Sequence, residues 1–358
     1  MKINKKISLL MLCIIIFAIT LLSVSCSKSN VKVDKLTVGQ TGKGIKAAMV
    51  VLANEMGYFD EEQVEVEFVQ IQDLNDGITA VTQNKLDVLP MGIIPSLTYI
   101  AQGSDLVVFG GTISEGSEVV CLPENSDNYK TLDDLAGKTI ACVRPETGHL
   151  FAVDYLQNAG IDDVNWVELD GFQSGIEAVK KGNADLAFVN SGFGYNAEQQ
   201  GLEKVFGVAD FYPNNVCCRQ TTSQKTFEEK TESLIRFEMA NLRAYAFAYG
   251  NNDANKEEVI KKLANYSGLE NDYVEYSIYS GVMKYELDPA TDRVRDFYQV
   301  MENIGEINPS NDINIDNHMD ISIYQEALER LCKQYPEEQV YSDLFSTISE
   351  HNSVLTES

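Results

Sequence analysis

DGITAVTQNKLDVLPMG (76–92) and SGIEAVKKGNADLAFVNSG (174–192) are two versions of one piece of chain. Gly77-Ile78, Ala80-Val81 and Asp87-Val88 return 98 positions later as Gly175-Ile176, Ala178-Val179 and Asp185-Leu186. Each copy reads as a short amphipathic helix running into an apolar strand, residues 86–92 in the first and 184–192 in the second. The likeness extends upstream, where KLTVGQ (35–40), the loop TGKG and a helix correspond to KTIACV (138–143), RPETGH and a helix ending at Ala159. Apolar strands alternating with helices at this spacing predict parallel βαβ units. The expected fold class is α/β with two lobes, each a mostly parallel sheet flanked by helices. Ligands of such sheets sit beyond the carboxyl ends of the strands, which places the site in a cleft between the lobes. The repeated Asp87 and Asp185 are expected to fix strand or turn geometry rather than touch a ligand.

The chain opens with Lys2, Lys5 and Lys6, runs almost unbroken through apolar residues from Ile7 to Val24, and then meets Cys26. Residues 1–25 read as an export signal, although about 18 apolar residues are also borderline for a membrane span. LLSVSC (21–26) resembles a bacterial lipobox in which Ser23 holds the place usually taken by Leu. Cys26 is therefore the expected lipidated N-terminus, since a diacylated cysteine supplies the two chains that stable anchoring needs. Residues 26–34 would form a tether, and the body would stand on the extracytoplasmic face of the cell membrane. Loss of Lys2, Lys5 and Lys6 shifts the net charge from -26 to -29. That acidity excludes nucleic acid and anionic lipid surfaces as partners. It leaves a small anion open, because a buried site is governed by its own guanidinium groups, amides and helix ends.

Besides Cys13 and Cys26 there are Cys121, Cys142, Cys217, Cys218 and Cys332, an odd and sparse set that argues against a disulfide framework. Cys121 and Cys142 lie in apolar strand-like runs and are expected in the core. Zinc-ligand spacing is absent and His149, His318 and His351 are far apart, so neither a metal nor another cofactor is expected. After the tether the pattern predicts lobe one over 35–117, lobe two over 118–206, a return to lobe one with C-terminal helices over 207–335, and a tail over 336–358 whose end is disordered. The crossings are expected near 113–118 and 206–212. Thr226 and Glu229 suggest a capping box for the long helix that follows the return strand.

The order of elements resembles the type II periplasmic-binding-protein fold, and specifically the nitrate, sulfonate and taurine binding proteins of ABC importers (SsuA-, TauA- and NrtA-like). ANEMGYFDEEQVEVEFV (53–69), KLDVLPMG (85–92), TLDDLAGKTIACV (131–143), AVKKGNADLAF (178–188) and NHMDISIYQEAL (317–328) carry the likeness over about residues 35–330. It implies a monomeric solute receptor that closes by hinge motion and presents a small molecule to an ABC permease with its ATPase, with no catalysis. The same fold also serves pyrimidine-precursor binders and a pyrimidine-synthesising enzyme. Those enzymes carry a longer Cys-rich run than the two adjacent cysteines here.

Candidate ligand contacts follow from strand ends. Gln40, Thr41 and Gly42 in lobe one and Arg144, Thr147 and Gly148 in lobe two stand where helices begin, and free N–H groups there suit the oxygens of an anion. Glycines at such places also serve tight turns. Met91 and Gly92, with Asn190 and Ser191, close the third strand of each lobe. Glu115 and Gly116 lie in the crossover, and Phe172 and Phe193 in loops able to flank a ligand. Cys217, Cys218 and Arg219 are the most distinctive chemistry. On a regular strand Cys217 and Arg219 share one face and Cys218 the other, so only a bulge turns both sulfurs into the cleft. The ligand is expected to be a small oxyanion or compact polar molecule whose acidic end meets Arg144 or Arg219. The alternatives are a pyrimidine-type ligand, or a thiophilic one (organosulfur, organoarsenic or metal-bearing) gripped by Cys217 and Cys218.

Overall fold

The repeat folds into two five-stranded layers of the same strand order. The computed structural model describes residues 35–353 apart from 214 and 311; the signal, the tether and Cys26 lie outside the described residues. The first four strands are β1 (Leu36–Gln40), β2 (Val66–Gln70), β3 (Leu89–Gly92) and β4 (Leu106–Ile113). β5 (Glu118–Cys121), β6 (Thr139–Cys142), β7 (Asn165–Glu168), β8 (Leu186–Val189) and β9 (Glu203–Gly207) follow, and then β10 (Cys218–Ser223). The last five before the return make one sheet in the order β7-β6-β8-β5-β9. β1 pairs in parallel with β2 and bridges through Val38 to Val88 just ahead of β3, while β10 lies between β3 and β4. Read across that bridge, the order is β2-β1-β3-β10-β4, the counterpart of the other sheet strand by strand.

The antiparallel strand of each layer, β10 in the first and β5 in the second, is supplied by the chain as it leaves the other layer. β4 leads directly into β5, and β9 into β10 through the short 3-10 turn Val208–Asp210. Two crossings therefore join the layers.

The shared residues explain the shared geometry. Asp87 Oδ2 accepts from the backbone N–H and the hydroxyl of Thr37 at 2.8 and 2.9 Å, and Asp185 Oδ2 accepts from the N–H of Thr139 at 2.8 Å. Each aspartate ties the entry of a third strand to the start of a first. A Cβ on Gly77 would lie 2.6 Å from Ile71 Cδ1, and one on Gly175 3.4 Å from Ala187 Cβ. The bare backbone there lets each helix sit down on its sheet.

The helix Thr231–Tyr249 packs on Ala48–Glu55 and on Ser322–Gln334, so the late helices cover the first layer. One expectation is corrected here. The N-terminal cap near residue 226 is Ser223, whose hydroxyl accepts from Thr226 N–H at 3.1 Å. That helix ends at Glu229, and a second starts at Thr231, so Thr226 and Glu229 are not its capping box. In the tail, Gln339–Ser346 and Ile348–His351 are helical and bury Tyr341 and Ile348; the end expected to be disordered, residues 354–358, lies outside the described residues. Asn352 then accepts from Thr291 N–H and donates to Asp288 Oδ1 at 2.8 Å. Polar side chains help to anchor this segment, in keeping with its weak hydrophobic pattern. Among the described residues no helix is long and apolar enough to cross a membrane.

Candidate functional site

A cavity of about 300 Å³ opens between the layers, walled by segments that follow the parallel strands. Lys46 comes from beyond β1, Leu74 and Asn75 from beyond β2, and Gly92, Ile94 and Pro95 from the end of β3. Val143, Pro145, Glu146 and Thr147 follow β6, Phe172 follows β7, Asn190 follows β8, and Cys217 and Cys218 come from the return strand. This is the position at which α/β sheets bind ligands. The walls are mainly apolar, with Phe172 held at a 5.4 Å centroid distance by Phe193.

Glu146 organises the polar wall. Its Oε1 accepts from the Ser117 hydroxyl and from Asn190 Nδ2, and its Oε2 accepts from His149 N–H at 2.8 Å. The carboxylate is thereby the N-cap of the helix Thr147–Asn158. It already occupies the place where the helix dipole and free N–H groups would draw an external anion. Gly148 belongs to the same arrangement: a Cβ there would fall 2.3 Å from Ser117 Cβ, so its role is close packing against the crossover. Gly116 likewise lets the crossover pass beside Asn190, with a would-be Cβ 3.1 Å from Asn190 Oδ1.

Of the sequence candidates, Gly92, Thr147, Phe172, Asn190, Cys217 and Cys218 meet at this cavity. Gln40, Thr41 and Gly42 do not line it. Gln40 accepts from the Tyr266 hydroxyl, Thr41 donates to Met91 sulfur, and Gly42 N–H donates to Gln70. Met91 is buried in β3, Glu115 is half-buried in the crossover, and Ser191 places its carbonyl on the Tyr273 hydroxyl.

Both arginines turn elsewhere, which corrects the expectation that one of them holds the ligand. Arg144 pairs with Glu306 at 3.4 Å beside His149 and Trp166 in a separate cavity. Arg219 is fully buried and donates to the carbonyls of Pro289, Ile113 and Cys218, to Ser114 and to Glu286. Although burial opposes it, the charges of Arg219 and Arg293 hold the Glu286 carboxyl at about 2. A guanidinium with all its donors used internally has none left for a ligand.

The cation that does line the cavity is Lys46, which sequence reasoning missed along with Glu146. Lys46 was legible only as part of the segment after the first strand, and Glu146 only as an acid preceding a helix.

The thiols depart from strand alternation for a visible reason. β10 begins at Cys218, leaving Cys217 outside the ladder, and the pairing with β4 shifts register between Cys218 and Arg219. The two sulfurs stand 3.3 Å apart. The hydrogen bond from Cys218 holds the Cys217 thiol below the ordinary cysteine range against the opposing effect of burial, and the Lys46 charge and the Thr147 hydroxyl add to it.

A family model described as NMT1/THI5 like matches residues 45–255, more than half of the chain. The chain belongs to this NMT1/THI5-like family. Its fold is the two-lobe type II periplasmic-binding-protein fold, shared with solved structures of low sequence identity. The nitrate-binding protein NrtA of Synechocystis PCC 6803 has 13% identity and a TM-score of 0.67, covering 86% of this chain and 91% of its own. The alkanesulfonate-binding protein SsuA of Xanthomonas axonopodis pv. citri, bound to MOPS, has 17% identity and a TM-score of 0.63, covering 80% and 98%. The desulfurization enzyme DSZB has 15% identity and a TM-score of 0.60, covering 83% and 99%. No curated protein matches the sequence.

Proposed function

We propose that this family member is an extracytoplasmic solute receptor, lipid-anchored through Cys26 and monomeric, which closes on a small molecule and delivers it to an ABC permease. The observation that carries the proposal is the cavity built from post-strand segments of both layers, with Lys46 from one and Glu146 from the other. A ligand held there bridges the lobes and stabilises the closed form, and a permease needs only to distinguish closed from open. The likeness to NrtA and SsuA supports the transport role as an analogy of fold.

The chemistry of the walls selects the ligand. Glu146 is satisfied by three protein donors, so Lys46 is the charge available to an incoming molecule, and an acidic group suits it. The volume, at the lower end of small-molecule sites, and the apolar walls suit a compact organic body better than a bare inorganic oxyanion. The residues proposed to contact it are Lys46, Gly92, Thr147, Phe172, Asn190, Cys217 and Cys218. Native mass spectrometry of the purified chain, followed by calorimetry against alkylsulfonates, aryl carboxylates, aminopyrimidines and nitrate, tests the reading. An organic anion whose affinity drops about tenfold or more in Lys46→Met, as loss of a charged hydrogen bond predicts, supports it. Binding restricted to cations, or indifferent to Lys46→Met, refutes it. The bound molecule is expected unchanged after incubation; turnover would instead favour an enzyme, as the desulfurization enzyme DSZB is.

A further inference from the structure

Capture by charge and shape does not require two adjacent residues of the cavity wall both to be thiols. Cys217 and Cys218 are both buried, both unpaired by disulfide and both part of that wall. Their backbone is held from two sides: Ile93 N–H donates to the Cys217 carbonyl at 3.0 Å and Arg219 Nη1 to the Cys218 carbonyl at 2.8 Å. The pair is thus a preorganised dithiol rather than two mobile side chains.

The separation of the sulfurs discriminates among the centres they could share. With thiolate bonds of about 2.3 Å, a linear two-coordinate ion needs sulfurs about 4.6 Å apart and a tetrahedral ion about 3.8 Å. A pyramidal centre with bond angles near 90° needs about 3.3 Å on the same bond length. The observed separation is 3.3 Å. Among the described residues no group of three His, Cys, Asp or Glu could complete a metal site, so the third substituent must arrive with the ligand. Trivalent arsenic carrying one organic group meets both conditions, being soft, pyramidal and two bonds short. The apolar wall of Leu74, Ile94, Pro95, Val143 and Phe172 would receive that group.

We propose that Cys217 and Cys218 form a chelating site for a monosubstituted trivalent arsenical, R–As(OH)2, whose R group is apolar. Two As–O bonds break and two As–S bonds form. The two thiol protons leave with the two hydroxides as water, and arsenic stays trivalent throughout. Thiolate is the attacking species, and the hydrogen bond from Cys218, with Lys46 nearby, favours it at Cys217. The proposal rests on the solute-receptor reading only in using the same cavity.

The test uses the reduced full chain in detergent with phenylarsonous acid as probe. Intact mass is expected to show one adduct heavier by one C6H5As unit less two hydrogens. Removal by a small vicinal dithiol, but not by an equal concentration of monothiol, is the second expected result. Cys217→Ser and Cys218→Ser should each weaken the complex by about 100-fold or more, because loss of one arm abolishes chelation. Circular dichroism and the melting midpoint confirm that the variants fold, and a double variant reports whatever the other cysteines bind. An adduct that survives in the double variant, or wild-type affinity in either single variant, overturns the site. So does a pair recovered only as a disulfide that refuses the probe after reduction. Capture of an organic anion in a Lys46-dependent way, with no arsenical chelation, would overturn the dithiol site alone and leave the receptor standing.

Discussion

Replacing Glu238 by Gln should raise stability at alkaline pH and remove much of the protein's pH dependence between 4.5 and 8. Glu238 is fully buried in the helix Thr231–Tyr249. Its Oε2 accepts from Gln220 Nε2 at 2.8 Å and, more weakly, from Asn241 at 3.4 Å, and among the described residues no cation is paired with it. Burial therefore dominates and raises the carboxyl from 4.5 to about 8, with the two hydrogen bonds opposing. In the unfolded chain the proton leaves above 4.5, whereas the folded chain keeps it until about 8. The native state thus binds more protons across that window, and stability falls as pH rises through it. At 1.36 kcal/mol per unit, the loss accumulated by pH 8 is about 4 kcal/mol. Gln has nearly the shape of the protonated acid and never ionises, so Glu238→Gln should be close to wild type at pH 4.5. At pH 8 it should be more stable by a large part of that figure. Urea unfolding at pH 4.5, 6 and 8 measures both. Parallel curves for wild type and variant would show that the carboxyl is not held neutral and would refute the reasoning.

Three further outcomes are expected. His149 is buried against Trp166, and burial, aided by the Arg144 charge, lowers its ring from 6.5 to about 4. The unfolded chain takes up that proton first, so stability drains as pH falls from 6.5 to 4, by up to about 3 kcal/mol; urea titrations of His149→Phe should lack this loss. Arg219→Met takes the side-chain donor from three interior carbonyls and leaves Glu286 with Arg293 as its remaining cation; it should cost about 3 kcal/mol or more through the unmade hydrogen bonds, read by urea unfolding, while solute affinity well below the melting temperature stays near wild type. A Cβ on Gly111 would lie 2.3 Å from the Glu286 carbonyl and 2.4 Å from that of Asp288; since neither backbone atom can swing aside, Gly111→Ala should cost about 3 kcal/mol or more, seen as a drop in melting midpoint.

The architecture was legible because it is local and written twice. Helix period, strand period and the repeated Gly and Asp act within some 20 residues, and the same signals 98 positions apart predict the same unit twice. The places where strands end were legible too, and with them the segments that wall the cavity. Side-chain direction was not. Whether Arg219 faces a ligand or the interior depends on Glu286, Ser114 and the Pro289 carbonyl, which are 67, 105 and 70 residues away in sequence. Nothing near Arg219 in the chain announces them. Glu146 could be read as an acid before a helix, but only the approach of Ser117 and Asn190 makes it a satisfied cap instead of a ligand group. The two thiols were visible as a pair, and alternation predicted opposite faces for them. Their common orientation comes from the strand beginning one residue late and shifting register against β4, a property of the neighbouring strands. Local periodicity thus determined the scaffold, while partners brought together by long loop closures decided which charges the cavity can offer.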